Sequence, residues 1–182
     1  MNGDDAKARF ASVVVPHLVD AFALARWLTG DRADAEDVVQ EASLRAFRAI
    51  GDYSGGNARA WVLTIVRHTA YSWLGKHRRP LLVAVDDLEA VERAQALPGR
   101  NAAEAAGATP ETELLAKADA ARLEAAIAAL PPPFRETLVL RDVQGLDYRE
   151  IAQVTEVPIG TVMSRLARAR RRLIETIGMD GS

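Results

Sequence analysis

The chain has 182 residues, contains no cysteine and is poor in aromatic residues, which make up 5% of it. Without cysteine there can be no disulfide framework, no thiolate metal site and no cysteine nucleophile. His17 and His68 stand without neighbours that could complete a metal site, so we expect no bound metal. We find no nucleophile–base set and no phosphate-binding glycine loop, so the sequence predicts neither a cofactor nor an enzyme.

The sequence also predicts no membrane-spanning segment. We judge no stretch long enough to cross a membrane, and Asp4 and Asp5 do not suit a secretory signal. We therefore expect a cytoplasmic protein without membrane insertion. The formal net charge of -2 argues against a non-specific nucleic-acid coat, but it hides local asymmetry. Residues 80–119 hold eight acidic residues against three basic ones, whereas the flanking segments hold most of the arginines.

Few aromatics together with abundant alanine and leucine favour an all-α protein. Helical periodicity and turn formers divide it into two small helical domains joined by a flexible acidic linker. The expected boundaries are an N-terminal tail at 1–12, a first domain at 13–79, the linker at 80–112, a second domain at 113–177 and a C-terminal tail at 178–182. Within the first domain we expect helices from Val14 to Gly30, from Asp34 to Ile50 and from Ala58 to Lys76.

Residues 146–173 predict a helix-turn-helix. Asp147 and Glu150 have the spacing of a capping box, which starts a helix, and Pro158 suits the turn that follows. In the next helix an apolar stripe recurs at helical spacing: Val162, Leu166, Ala169 and Leu173. The opposite face is polar and cationic: Thr161, Ser164, Arg165, Arg168 and Arg172. Helices of this kind enter the DNA major groove.

The alternative is that these arginines form only a solvated surface. Against it, residues 157–174 contain no acidic side chain that could pair with them locally. We therefore predict that this segment binds DNA.

Two more surfaces lie in the first domain. On its second helix Asp34, Asp37, Glu41 and Arg45 share one face, which by itself is most simply a solvated face with a Glu41–Arg45 pair. The third helix interleaves cations with aromatic residues, a combination expected for melted or single-stranded DNA. These residues are Arg59, Arg67, Lys76, His77, Arg78 and Arg79 with Tyr53, Trp61, Tyr71 and Trp73.

The motifs DAEDVVQEA, YSGGNARAW and VRHTAYSWLGKHRRP, followed by a linker and LPPPFRETLVLRDVQGLDYREIAQVTEVPIGTVMSRLARARRRL, resemble the extracytoplasmic-function sigma factors of bacterial RNA polymerase. The resemblance covers roughly residues 13–177. It implies sigma region 2 at 13–79, sigma region 4 at 113–177, and promoter-specific initiation of transcription. The implied partners are promoter DNA, core RNA polymerase through its clamp and flap, and an anti-sigma factor.

The resemblance also implies roles for individual residues. The clamp would bind Asp34, Asp37, Gln40 and Glu41. The −10 element would be contacted by Tyr53, Ser54, Asn57, Trp61, Arg67, His68, Tyr71, Arg78 and Arg79. The −35 element would be contacted by Arg141, Thr161, Ser164, Arg165, Arg168 and Arg172, while Arg170 and Arg171 would grip phosphate or the flap.

Three positions depart from the family's common pattern: His68, Ser72 and Met163. They belong to the expected reading surfaces, so they bear on promoter choice and not on the fold. Two other functions stay open from the sequence. One is a stand-alone helix-turn-helix regulator that binds an operator as a dimer. The other is an interaction protein that occupies a polymerase or sigma site without starting transcription.

Overall fold

The computed structural model describes residues 3–77 and 110–179, and within these ranges it contains helices and turns but no strand. The helices are α1 (Gly3–Val13), α2 (Leu18–Thr29), α3 (Arg32–Ala49), α4 (Ala58–His77), α5 (Pro110–Ala128), α6 (Pro132–Leu138), α7 (Tyr148–Thr155) and α8 (Ile159–Met179). The expectation of an all-α protein is confirmed. Arg78, Arg79 and most of the expected linker lie outside the described residues.

Helices α2, α3 and α4 pack against one another and form the N-terminal half. Gly30 ends α2 in a left-handed conformation with φ of 75°, where glycine carries no steric penalty. Asp31 then caps α3, because its carboxylate accepts hydrogen bonds from the backbone N–H groups of Ala33 and Asp34. The sequence prediction started this helix at Asp34, two residues late, because it did not recognise Asp31 as the cap.

The segment expected to be an N-terminal tail forms helix α1 instead. Phe10 of α1 meets Phe47 of α3 edge to face, with ring centroids 5.5 Å apart. None of the residues of α1 is buried, so the helix lies on the surface of the N-terminal half.

The expectation that no apolar stretch is long enough to cross a membrane is also wrong. By length and composition the stretch Gly3–Thr29 is sufficient to cross a membrane, since it contains an 18-residue window with a mean hydropathy of 1.4. In the structure, however, a 3₁₀ turn at Val15–His17 with a proline at its start separates α1 from α2. Leu24, Ala25 and Leu28 of α2 are buried in the protein core. A core helix near the N-terminus passes the same composition test, so the stretch is weak evidence for a membrane span.

The C-terminal half consists of α5 to α8. Helix α6 starts after Pro131 and has proline in its first turn, where the missing N–H costs nothing. The chain continues through a π-helical turn at Val139–Val143 and reaches α7 after Gly145, whose φ is 73°. Four large side chains at the centre of this half are 0–1% exposed: Leu140, Leu146, Ile151 and Leu166.

The two halves pack against each other, α4 against α7 and α2 against α6. At one end of the seam Arg59 donates to the Asp20 carboxylate and to the Gln144 carbonyl, each at 2.7 Å. The Gln144 amide returns a 2.8 Å hydrogen bond to the Asp20 carbonyl. At another point Arg135 donates to the Trp27 carbonyl at 3.2 Å. The sequence predicted two separate readers on a tether, whereas in this structure the two domains are in contact.

Candidate nucleic-acid interface

The acidic face of α3 is on the surface, as expected from its helical spacing. Asp37 and Gln40 are exposed, and Asp34 and Glu41 are half-buried. Arg45 donates to Glu41 at 2.8 Å, and this hydrogen bond holds the pKa of the Glu41 carboxyl below its usual range. The predicted i,i+4 pair is therefore present. This acidic face can accept a cationic partner.

The loop between α3 and α4 is closed by hydrogen bonds of its own. The Tyr53 hydroxyl donates to the Gly56 carbonyl at 2.8 Å, and the Tyr53 ring lies against Trp61, 5.0 Å between centroids. Gly55 and Gly56 have φ of 98° and 96°, a region that other residues rarely adopt. Ser54 and Asn57 are exposed, and Asn57 caps α4 by accepting from the Ala60 N–H at 3.0 Å.

Arg9 of α1 contributes to this loop, although the sequence gave no reason to include it. Its guanidinium donates to the Tyr53 carbonyl and lies 5.8 Å from the centre of the Tyr53 ring. The contact joins residues 44 positions apart, and no spacing rule links them. A cation next to an exposed, aromatic-containing loop suits a phosphate backbone.

On α4 the predicted reading residues face the C-terminal half. Arg67 donates to Glu136 of α6 at 2.6 Å, and its guanidinium lies 4.9 Å from the centre of the Tyr71 ring. The His68 ring nitrogen lies 2.7 Å from the Glu156 carboxylate at the end of α7. Asn57 donates to Glu150 of α7 at 2.6 Å. Three groups of the expected −10 surface thus contact carboxylates of the other half.

Sequence reasoning gave no role to Glu136, which is the partner of Arg67. It is 1% exposed, and burial raises the pKa of its carboxyl although the Arg67 charge opposes this shift. Burial alone would lower the pKa of Arg67, but the charge and hydrogen bond of Glu136 raise it. The neighbours of Glu136 in the sequence, Arg135 and Thr137, are polar, so the sequence gave no clear signal that this carboxylate is buried. Buried acids need a charged or hydrogen-bonding partner, and here that partner comes from the other half.

The helix-turn-helix is present as predicted. Asp147 accepts from the Arg149 and Glu150 N–H groups, and Glu150 accepts from the Asp147 N–H at 2.7 Å, which completes the capping box. Glu156 ends α7 with φ of 57°, and α8 begins at Ile159. Within α8, Val162, Leu166 and Ala169 are buried and Leu173 is half-buried. Ser164 and Arg168 are exposed on the other face, with Thr161 half-buried.

Arg165 departs from the prediction. We expected it to point outward with Ser164 and Arg168, but it is 5% exposed. Burial lowers its pKa, and the charge of Glu136 acts in the opposite direction. The sequence pattern placed Arg165 on the polar face opposite the apolar stripe, and the structure shows that placement to be wrong.

Other expected −35 residues also have partners within the protein. Arg141 is half-buried, donates to the Leu146 carbonyl at 2.7 Å and lies 5.0 Å from the Tyr148 ring centre. Arg172 lies 5.4 Å from the ring centre of Phe134. Arg170 pairs with Asp142 at 2.7 Å, an acid 28 residues away. The absence of acids from residues 157–174 therefore did not leave all the arginines of α8 unpaired, because α6 and the turn after it supply partners.

Comparisons with known proteins agree with this division of the chain. Residues 13–80 match the family model described as Sigma-70 region 2, and residues 120–173 match Sigma-70, region 4. The chain is 36% identical over 147 residues to the RNA polymerase sigma-H factor of Pseudomonas aeruginosa, covering 79% of this chain and 72% of that protein. It is 34% identical over 142 residues to the ECF RNA polymerase sigma-E factor of Escherichia coli K12, covering 77% and 72%. The chain belongs to the extracytoplasmic-function sigma factors.

A solved structure supports the same membership. The sigma factor RpoE of Bartonella quintana, solved in complex with the anti-sigma factor NepR, has a TM-score of 0.69 and 27% identity, and the alignment covers 94% of this chain and 98% of that one. The resemblance found in the sequence is therefore confirmed. This extracytoplasmic-function factor is an alternative sigma factor that directs transcription, with region 2 in the N-terminal half and region 4 in the C-terminal half.

Within residues 3–77 and 110–179 no group of three metal-binding side chains comes together.

Proposed function

We propose that this sigma factor binds core RNA polymerase through α3 and recognises the −10 and −35 promoter elements through α4 and α8. It works in the cytoplasm, has no catalytic activity of its own, and is held inactive by an anti-sigma factor. The observation that best supports this proposal is the position of the two features. The acidic face lies in the half matched by sigma region 2, and the capped helix-turn-helix lies in the half matched by sigma region 4. The anti-sigma partner is supported by the complex in which the Bartonella relative was solved.

The polymerase site is assigned to Asp34, Asp37, Gln40 and Glu41. The exposed Asp37 and the ionised Glu41 lie one turn apart on a rigid helix, so a partner with matching cations can engage both at once. The helix is fixed at its start by the Asp31 cap. A preformed face of this kind loses little conformational entropy on binding.

The −10 surface consists of the loop from Tyr53 to Asn57 and the face of α4. Arg78 and Arg79 also belong to this proposed surface, but they lie outside the described residues. The positive φ values of Gly55 and Gly56 hold an open loop beside Tyr53, which suits a base taken out of the stack. Arg67, His68 and Tyr71 extend this surface along α4 and offer cations and a ring to the unpaired strand.

The −35 surface is carried by the first turns of α8. Thr161, Ser164 and Arg168 lie on the side opposite to the buried stripe, where a recognition helix contacts base edges. Arg165 belongs to the same assignment by its place on α8, although it is 5% exposed in this structure. Arg141 and Arg172, which are engaged within region 4, complete the assignment at its edge.

Arg168→Ala is expected to flatten the base preference at one or two −35 positions. A direct arginine–base contact contributes about 1–3 kcal/mol of discrimination, because the wrong base leaves the guanidinium unpaired. The measurement is holoenzyme activity on a promoter library with randomised −35 positions.

Arg171→Ala is the matched control. Arg171 is also exposed on α8, one turn further on, and a phosphate contact there would weaken all promoters alike and lower the salt slope by about one. If the Arg168→Ala holoenzyme kept the parental −35 preference, the base-reading role of Arg168 would be wrong.

A further inference from the structure

Arg9 lies in the segment expected to be a tail, ahead of the residues matched by sigma region 2. We propose that Arg9 is a positioning residue: from α1 it fixes the loop that holds a −10 base taken out of the stack, and it acts through Tyr53. This inference rests on the proposed function, because it treats the loop from Tyr53 to Asn57 as the place of that base. It gives α1 a part in −10 recognition that requires no contact between Arg9 and DNA.

One face of α1 seats the helix on region 2. Ala6, Phe10 and Val13 are half-buried against the core, and their spacings of four and three return to the same side of a helix. The Phe10 ring contacts Phe47, which belongs to the last turn of α3, and the loop lies a few residues further along the chain. Arg9 follows this face in the sequence and is therefore held beside the loop.

Arg9 contacts Tyr53 in two ways. The guanidinium Nη2 donates a hydrogen bond to the Tyr53 carbonyl, and the guanidinium carbon lies 5.8 Å from the centre of the Tyr53 ring. At this distance the negative face of an aromatic ring attracts the cation. One residue of α1 thereby restrains both the backbone and the side chain of Tyr53.

Tyr53 passes this restraint on to the rest of the loop. Its hydroxyl donates to the Gly56 carbonyl at 2.8 Å, and its ring lies against Trp61 of α4, 5.0 Å between centroids. Gly55 and Gly56 have positive φ, and the space beside each is open where a Cβ would stand. Glycine loses more conformational freedom than other residues when it is fixed, so a glycine pair needs contacts that hold it. The contacts of Tyr53 tie the loop to α1 as well as to α4.

A preset loop matters most for the base that it holds. Contacts to such a base compensate part of the unstacking cost, and a loop that must first be ordered returns less of that energy. Loss of the Arg9 contacts should therefore weaken recognition of one −10 base. Phosphate contacts and the recognition of the other −10 bases should stay as they are in the parent.

The test compares Arg9→Met with Lys7→Met. Methionine keeps an unbranched side chain of similar helix propensity but removes the charge and the N–H donors. Lys7 also lies on α1, yet it is exposed and pairs with Asp4, so Lys7→Met is the matched control. Each variant is assembled with core polymerase and titrated with fragments of a mapped promoter whose −10 region is single-stranded. An abasic nucleotide replaces each −10 base in turn.

The parent holoenzyme should lose roughly tenfold in affinity when the held base is removed, because stacking and pocket contacts are lost together. In Arg9→Met that loss should be at least about threefold smaller, while the losses at the other −10 positions stay parental. Lys7→Met should repeat the parental profile at every position. Circular dichroism and the urea midpoint of Arg9→Met should match the parent, because Arg9 is only half-buried on a surface helix.

Three results would overturn the positioning role of Arg9. An unchanged abasic profile in Arg9→Met would show that the loop does not depend on this residue. Equal weakening of intact and abasic fragments would make Arg9 a phosphate contact instead. A large loss of stability, with smaller losses at all −10 positions together, would make it a support of the fold. If the proposed function itself fails, the parent holoenzyme will already bind intact and abasic fragments alike.

Discussion

Replacing Asp37 and Glu41 by lysine is expected to weaken binding to core RNA polymerase by roughly 100-fold or more, as expected when paired interface charges are reversed. Asp37 is exposed, and Arg45 keeps the Glu41 pKa low, so the parent presents two negative charges one turn apart. In D37K/E41K both charges become positive and repel the cations of the partner. Titration of a fluorescently labelled chain with core polymerase measures the affinity, and circular dichroism checks that the helices remain.

D4K/D5K provides the control for net charge. Asp4 and Asp5 lie exposed in the first turn of α1, and the double substitution changes the charge by the same amount without touching α3. We expect this variant to bind polymerase like the parent. Parental affinity for D37K/E41K would show that the acidic face of α3 is only a solvated surface.

Leu166→Ala is expected to destabilise region 4 by about 2–5 kcal/mol, the usual cost of removing a buried leucine side chain and leaving a cavity. Leu166 is 1% exposed in the centre of the stripe that seats α8. Alanine has at least the helix propensity of leucine, so any loss comes from packing. Urea unfolding followed by circular dichroism measures the change.

Met163→Ala, on the same helix, is the control. Met163 is 52% exposed, and substitutions at such surface positions change stability within about 0.5 kcal/mol. Equal stability losses for Leu166→Ala and Met163→Ala would contradict the orientation of α8. That orientation also decides which residues can enter the groove, so the result bears on the −35 assignment.

Local features of this fold could be read from the sequence. Gly30 marked the end of α2, the Asp147–Glu150 box marked the start of α7, and the spacing from Val162 to Ala169 gave the buried side of α8. Each depends on residues a few positions apart, where backbone geometry fixes the neighbours. For the same reason the Glu41–Arg45 pair was predictable.

The contacts between the halves could not be read in this way. Arg67 and Glu136 are 69 positions apart, and His68 and Glu156 are 88 apart, so no periodicity connects them. Their pairing follows from how two finished helical units fit together. The burial of Arg165 was also missed, because the periodicity of α8 carries no information about the other helices that pack around it.

Chain-dependent initiation by core RNA polymerase is the most direct test of the central claim. Purified chain and core polymerase are combined on a library of promoter fragments, and the transcripts are mapped at their 5′ ends. The account predicts discrete start sites that require the chain and share −10 and −35 elements upstream. An absence of such starts, with the chain alone bound as a dimer to a palindromic operator, would contradict it.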